Sequence, residues 1–402
     1  MKEYITLLKE EKVLRQLSFI QLISYFGAWF SNVAIYTLLI ELNVSASVVG
    51  FVAMLNFLAG VVQAPLSGPI IDRMNPKKLM LALIGVEIIA TISLVFVTQL
   101  SDLWLLYLLI FFKMAAASFY FTTEMSLLPK ILHGKKLQRS NELHSIIWSL
   151  SYTLGMAISG FVVYVFGIKI AFILDGFMFL IAFGLLYKTE IKIEILKIEE
   201  NIFMMMQESF VYFKKNPKAL HLMLIHSFVG LTAFDALVAL MVEQYYASII
   251  AASLALGLLH SARAIGLVIG PIYIGKWINN KRLLYIFIAQ GLAIWLWAFV
   301  MHNFYLSLVV SVVVGFFTTT LWSYSYTLLQ KNIDEKYYGR VVAYNDMLFL
   351  SSAAFTSYMI GFLATHSFSL ELITVIIGTG FLIGAIYYKF VLRTQNIKGI
   401  SL

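Results

Sequence analysis

Twelve apolar stretches recur along the chain, and each is long enough to cross a lipid bilayer as a helix. A transmembrane helix needs about 20 apolar residues and satisfies its backbone groups internally, whereas membrane barrel strands are far shorter. Of the 402 residues, 61% are hydrophobic and 12% are charged, so a soluble domain could not bury the apolar surface. The sequence therefore predicts an all-α polytopic membrane protein. Spans 1 to 12 are predicted over residues 17–41, 46–70, 78–99, 103–128, 141–166, 169–187, 219–243, 248–275, 283–301, 304–329, 341–365 and 369–390.

Lysine and arginine are distributed asymmetrically about these spans. Of the 29 basic residues, all but Lys113, Lys169 and Arg263 fall in the two tails, the middle segment and alternate loops. Cytoplasmic loops beside transmembrane helices retain Lys and Arg because such loops are hard to translocate. The pattern predicts a multi-pass protein of the plasma (inner) membrane with both termini in the cytoplasm. It also accounts for the net charge of +8, so no nucleic-acid partner is needed.

The two halves of the chain repeat each other. Gly68-Pro69-Ile70 ends span 2, and Gly270-Pro271-Ile272 ends span 8, at an offset of 202 residues. Two further short matches, at the ends of spans 4 and 10 and near the starts of spans 5 and 11, have offsets of 201 and 204. Two parallel six-helix repeats are the layout of a secondary transporter with a central site between its halves. We therefore predict two pseudo-symmetric six-helix bundles, residues 1–187 and 219–402.

The segment between the halves, residues 188–218, is the longest polar stretch. It holds six Lys against five Glu. Phe203, Met206, Phe210 and Phe213 recur in it at three- and four-residue spacing, which is typical of one helix face. The segment is predicted to be a cytoplasmic linker with an amphipathic helix lying on the membrane surface.

The loop after span 2 carries a recognisable motif. It reads GPIIDRMNPKK from Gly68 to Lys78 and resembles the signature loop between helices 2 and 3 of the major facilitator superfamily. The resemblance covers the layout of the whole chain. Within that family, the general character of the sequence is most similar to the exporters of drugs, siderophores and macrolides. It implies that a latch closes the cytoplasmic ends of the halves in the outward-facing state. The alternative is that its basic residues are ordinary cytoplasmic anchors. The latch would comprise Gly68, Asp72, Arg73, Lys77, Lys78 and, at the start of span 11, Arg340.

Ionisable residues within spans are costly and point to function. Lys113 and Glu124 lie 11 residues apart in span 4, on one helix face with Tyr120 between them. Asp235 in span 7 and Arg263 in span 8 lie at similar depth on neighbouring helices. They are expected to form either a structural ion pair or part of a transport site.

Proton coupling requires a buried carboxylate that reaches both sides of the membrane in turn. Asp235 is the first candidate, Glu124 the second and Glu87 in span 3 the third. Glu87 and Asp175, in span 6, lie on helices that the resemblance implies are peripheral.

Polar stripes follow two helices that the resemblance places at the central cavity. Because spans 1 and 10 are symmetry-equivalent, the stripes predict substrate contacts, whereas the alternative is hydrogen bonding between helices. The stripes consist of Gln21, Tyr25 and Asn32 in span 1 and of Thr319, Trp322 and Tyr326 in span 10. His226 and His302 lie near span ends and are expected to face interfacial water.

The two basic residues at membrane depth bear on the charge of the substrate. Lys113 and Arg263 lie one in each half, and an anion bound between the halves would neutralise both. In the alternative, Glu87 neutralises Lys113 and Asp235 neutralises Arg263, which suits a neutral or cationic compound.

The predicted function is proton-coupled efflux of an amphipathic organic compound, drug-like or siderophore-like, by a multidrug type of antiporter using alternating access. The alternative is a facilitator or importer of a small organic anion. The sequence holds no phosphate-cradling loop, no nucleophile constellation and no metal-site spacing, so we expect no enzyme activity, cofactor or metal. Without Cys, it forms no disulfides. We expect a monomer whose partners are a small-molecule substrate, protons and the lipid bilayer.

Overall fold

A computed structural model describes residues 2–191, 211–275, 277–334, 337–395 and 397. The described residues form helices and turns without any β-strand, and twelve helical segments are long and apolar enough to cross a membrane. The predicted all-α class and the twelve spans are therefore confirmed. The predicted amphipathic linker helix falls largely on residues 192–210, which lie outside the described part of the chain.

The spans begin and end close to their predicted positions, because Asn, Ser and Pro mark several of the turns. The Asn75 side chain accepts a hydrogen bond from the Lys78 amide and Pro76 opens span 3, while Ser369 caps span 12. The helices of spans 1 to 12 are Lys12–Glu41, Ala46–Arg73, Pro76–Ser93, Leu103–Ile131, Gly134–Phe166, Ile168–Lys188, Pro217–Ser227 with Asp235–Met241, Ala252–Ile274, Leu283–Val300, Phe304–Lys331, Tyr338–Thr365 and Leu370–Thr394.

Large apolar side chains cover the outside of these helices. Phe96, Phe299 and Ile386 are 71%, 79% and 71% exposed. Exposure of this kind is unfavourable in water, where apolar surface costs about 25 cal/mol per Å². It carries no such cost against lipid tails, which agrees with a chain that spans a membrane.

Span 7 is predicted as one continuous helix over 219–243, but the structure shows a broken helix. An α-helix over Pro217–Ser227 gives way to a 3-10 turn over Phe228–Thr232, and a second α-helix runs over Asp235–Met241. A π-helical turn, Val242–Tyr246, completes the span. Apolar composition predicts depth in the membrane but not hydrogen-bond register, so it does not locate such a break. Irregular backbone at membrane depth is tolerated where protein or a cavity surrounds it, and Val229, Gly230 and Thr232 are indeed buried.

Contacts divide the chain into two compact units. The first comprises Met1–Asn43, Val62–Glu199 and Ala251–Ser261, and the second comprises Val44–Val61, Glu200–Ile250 and Ala262–Leu402. The beginning of span 2 therefore groups with the second half of the sequence, and the beginning of span 8 groups with the first half. The domain boundaries at residues 187 and 219 stay a prediction.

Glycines at these exchanged ends allow close helix contacts within each unit. In the second unit, a Cβ added to Gly50 of span 2 would lie 2.7 Å from the Cα of Gly361 in span 11. In the first unit, a Cβ added to Gly257 of span 8 would lie 3.0 Å from the Cα of Gly160 in span 5. Small residues let helix backbones approach and pack in a membrane, which explains why the helix ends group in this way.

Candidate functional site

The first unit contains an ion pair at membrane depth. Lys113 Nζ in span 4 lies 2.7 Å from Asp175 Oδ2 in span 6, and the two side chains are 6% and 0% exposed. The Ser31 hydroxyl donates to the same Oδ2 atom, and Lys113 Nζ lies 5.6 Å from the centre of the Phe179 ring. Buried charges are tolerated when they are paired and hydrogen-bonded. Asp175 therefore neutralises Lys113 and ties spans 1, 4 and 6 together.

This pair corrects the alternative in which Glu87 neutralises Lys113. Lys113 and Asp175 follow the starts of their helices, Leu103 and Ile168, by ten and seven residues. At about 1.5 Å per residue, both side chains lie some 10–15 Å from the same face. That similarity of depth was a readable signal for Asp175. The sequence does not predict how each helix is rotated about its own axis, and that rotation brings the two side chains together.

Glu87 lies beside the ion pair in span 3. Its side chain is buried and interacts electrostatically with both Lys113 and Asp175. Lys113 already forms its 2.7 Å contact with Asp175, so its charge is only partly available to Glu87. Glu87 is therefore the member of this group whose charge is less well compensated.

A second buried carboxylate, Glu124, lies further along span 4. Its side chain is 2% exposed and lies next to the Gln21 side chain of span 1. The same Gln21 amide contacts His144 Nδ1 in span 5, whose ring packs edge-on to Tyr25 at 5.9 Å between centroids. Glu124 Oε2 has no hydrogen-bond partner among the described residues. His144 was not predicted as a site residue, because nothing in the sequence of span 5 set it apart.

Other members of the predicted span 1 stripe join this region. Tyr25 and Tyr120 both interact electrostatically with Glu124 and with Glu87. The Tyr120 hydroxyl and the Asn32 Oδ1 atom are buried, and within the described chain neither has a hydrogen-bond partner. Spans 1, 3, 4, 5 and 6 thus bring together a buried polar region with several unused hydrogen-bonding atoms, which we call the first polar cluster.

In the second unit, Arg263 of span 8 contacts the backbone at the break in span 7. Its Nη2 atom donates to the Thr232 carbonyl at 2.9 Å, and its guanidinium lies 5.0 Å from the centre of the Phe234 ring. Thr232 ends the 3-10 turn, where helical bonding stops. Asp235, half-buried, is the first residue of the helix that resumes after the break. The Thr232 carbonyl also accepts from the Phe234 amide at 2.9 Å, so Arg263 supplies a second donor that ties span 8 to the break in span 7.

Replacing Arg263 by Met is expected to lower the free energy of unfolding by about 1.5–3 kcal/mol, the net value of a hydrogen bond that involves a charged group. Arg263→Lys retains a donor and should lose less. Thermal unfolding of both purified variants checks this, and equal stability of the Met variant and the wild type would contradict the assigned contact.

The span 10 stripe separates into two kinds of contact. The Thr319 hydroxyl donates to the Leu267 carbonyl of span 8 at 2.9 Å, which is a bond between helices. Trp322 and Tyr326 stack, with centroids 5.2 Å apart and planes at 14°. His226, expected at the interface, is instead fully buried against these two rings, because the last turn before the break directs it inward. His302 is exposed, as expected.

The predicted latch is only partly described. Arg73 and Lys78 are exposed, and Lys77 Nζ donates to the Tyr187 carbonyl at the end of span 6, 2.8 Å away. The backbone of Gly68 and Asp72 lies in the span 2 helix, and that of Arg340 in the span 11 helix. The side chains of Asp72 and Arg340 lie outside the described part, so the latch stays a prediction.

Comparisons with known proteins agree with this architecture. A family model described as Major Facilitator Superfamily matches residues 17–246 and 220–400. The chain is also similar to an uncharacterized MFS-type transporter, YfiS of Bacillus subtilis (strain 168), with 28% identity over 183 residues. That similarity covers 45% of this chain and 43% of YfiS, so the chain spans less than half the length of this curated relative.

Solved structures of the nucleoside transporter NupG have the same fold. A NupG variant superposes with a TM-score of 0.70 and 12% identity, over 94% of this chain and 99% of that one. A second NupG structure gives 0.68 and 13%, over 96% and 100%. At this identity the likeness shows the fold alone. The family model, however, matches nearly the whole chain, and the chain therefore belongs to the Major Facilitator Superfamily of membrane transporters.

Proposed function

We propose that this transporter is a proton-coupled antiporter that exports a neutral or cationic amphipathic compound by alternating access, with Glu124 as the carboxylate that exchanges the proton. The observation that carries the proposal is the setting of Glu124. It is 2% exposed, lies next to Gln21 and has one unpartnered oxygen in the described structure. A buried carboxylate in this state has an atom available to a proton.

The other two carboxylates considered for coupling are less suited. The described ion pairs of the first unit join Lys113 to Asp175, or join Lys136 and Arg139 to acids other than Glu124, so none provides Glu124 with a cation. Glu87 shares Lys113 with Asp175. Asp235 is only half-buried, so it lacks the enclosure of Glu124.

The ion pair also bears on the charge of the substrate. Since Asp175 neutralises Lys113, Lys113 does not need an anionic substrate to offset its charge. Glu87 and Glu124 remain as buried acids in the same unit. The first polar cluster is therefore better matched to a neutral or cationic compound than to an anion, which argues against the facilitator or importer of a small organic anion.

Glu124→Gln in proteoliposomes tests the proposal, with the cationic dye rhodamine 6G as the probe. An imposed pH gradient should drive dye transport by the wild type. We expect the gradient response of the variant to fall about tenfold or more, because coupling between two sites is typically worth roughly 5–150-fold. Dye binding should persist. Glu41→Gln, an exposed acid at the end of span 1, is the matched control and should transport normally. Undiminished gradient-driven transport by Glu124→Gln would rule out Glu124 as the proton carrier.

A further inference from the structure

The hydrogen bonds of Ser325 determine which His226 nitrogen carries a proton. The Ser325 Oγ atom lies 2.6 Å from the Leu321 carbonyl and 2.8 Å from His226 Nδ1. A hydroxyl has one proton to give, and two oxygens 2.6 Å apart repel unless a proton lies between them. Ser325 therefore donates to Leu321 and accepts from His226 Nδ1–H. In the neutral ring, Nε2 is then a bare acceptor.

This acceptor is buried and unused. The His226 side chain is 0% exposed, and Nε2 has no hydrogen-bond partner among the described residues. An unsatisfied buried acceptor is costly, so a site that retains one is suited to a ligand that donates to it. His226 lies one residue before the end of the first helix of span 7, next to the break.

Aromatic rings surround the imidazole. The centroids of Trp322, Tyr326 and Phe349 lie 5.8, 5.4 and 5.7 Å from that of His226. Trp322 is the most exposed of the three, at 41%. Aromatic faces attract organic cations within about 6 Å of the ring centroid, and Trp is the strongest of them.

We propose that His226 is a substrate-binding residue whose Nε2 atom accepts a hydrogen bond from the N–H group of a cationic organic amine. The apolar body of the ligand lies against Trp322 and Tyr326. This assignment rests on the proposed export of amphipathic compounds and specifies which chemical group the second unit recognises.

Two related dyes and two substitutions test the proposal by equilibrium binding to the purified full chain. Rhodamine 6G has an N–H on each xanthene nitrogen, whereas tetramethylrhodamine ethyl ester has the same core with both nitrogens fully alkylated. The wild type is expected to bind rhodamine 6G about tenfold more tightly, the value of one hydrogen bond that involves a charged group. Equal affinity for both dyes, or binding of neither, would overturn the proposal without any variant.

The two substitutions separate ligand binding from a structural role. His226→Asn keeps an amide near the position of Nδ1, so it can still donate to Ser325, but it has no atom at Nε2. His226→Gln places its amide near Nε2 and loses the Ser325 bond. We expect the Asn variant to lose the preference for rhodamine 6G while staying folded, and the Gln variant to retain part of it. A preference that survives in His226→Asn would show that His226 is only a structural tie to Ser325.

The binding assay is independent of the test of proton coupling, because it uses no pH gradient. Loss of the dye preference in His226→Asn, with gradient-driven transport of the wild type absent, supports the binding site and rejects coupling through Glu124. An intact gradient response with equal affinity for the two dyes leaves the coupling proposal standing and overturns the binding site.

Discussion

Asp175→Asn is expected to lower the free energy of unfolding by about 3–5 kcal/mol, the typical cost of removing one partner from a buried ion pair. The Lys113 ammonium would keep its charge in a position that is 6% exposed, without its 2.7 Å contact and with Glu87 as the acid that still interacts with it. The loss is measured by thermal unfolding of the purified protein and by the yield of folded chain.

A double variant distinguishes the loss of the ion pair from an unrelated packing defect. The double variant Lys113→Gln with Asp175→Asn removes both charges and should recover most of the stability, since a neutral replacement of a buried pair is often tolerated. Lys169→Gln, an exposed site at the start of span 6, is the control and should change the free energy of unfolding little. A double variant as unstable as Asp175→Asn alone would show that the ion pair is not the cause.

Gly266→Ala is expected to destabilise the second unit by about 1–3 kcal/mol or more, the cost of overpacking a close contact. A Cβ at this position would lie 2.7 Å from the Phe316 amide nitrogen and closer still to the Val312 carbonyl oxygen. Gly270, one helical turn further along span 8, is pressed against Phe316 in the same way. The pair forms a G-x-x-x-G face that lets spans 8 and 10 pack backbone to backbone.

Gly85→Ala is the matched control for this prediction. Gly85 also lies within a helix, but a Cβ there would meet nothing within 4 Å. Because Ala has the higher helix propensity, this variant should be neutral or gain up to about 1 kcal/mol. Unfolding temperatures that fall equally in the two variants would show that the loss of glycine itself, rather than the helix contact, is responsible.

Several members of the candidate site were within reach of sequence reasoning. Gln21, Tyr25 and Glu124 were singled out because polar residues are rare in apolar spans, and the structure brings them together in the first polar cluster. His144 and Asp175 were given no such weight, since they lie on spans regarded as carrying no site or as peripheral. Which side chains meet between two helices depends on how each helix is rotated about its axis. Hydropathy does not predict that rotation.

The helical class, the number of spans and their approximate ends were determined by the sequence alone. The physical reason is that lipid acts on each segment separately, through the length needed to cross it and the requirement for internal hydrogen bonds. Tertiary structure decided that Lys113 pairs with Asp175 rather than Glu87, and that span 7 breaks where Arg263 can donate to Thr232. Both depend on contacts between residues far apart in the chain, which no single segment encodes.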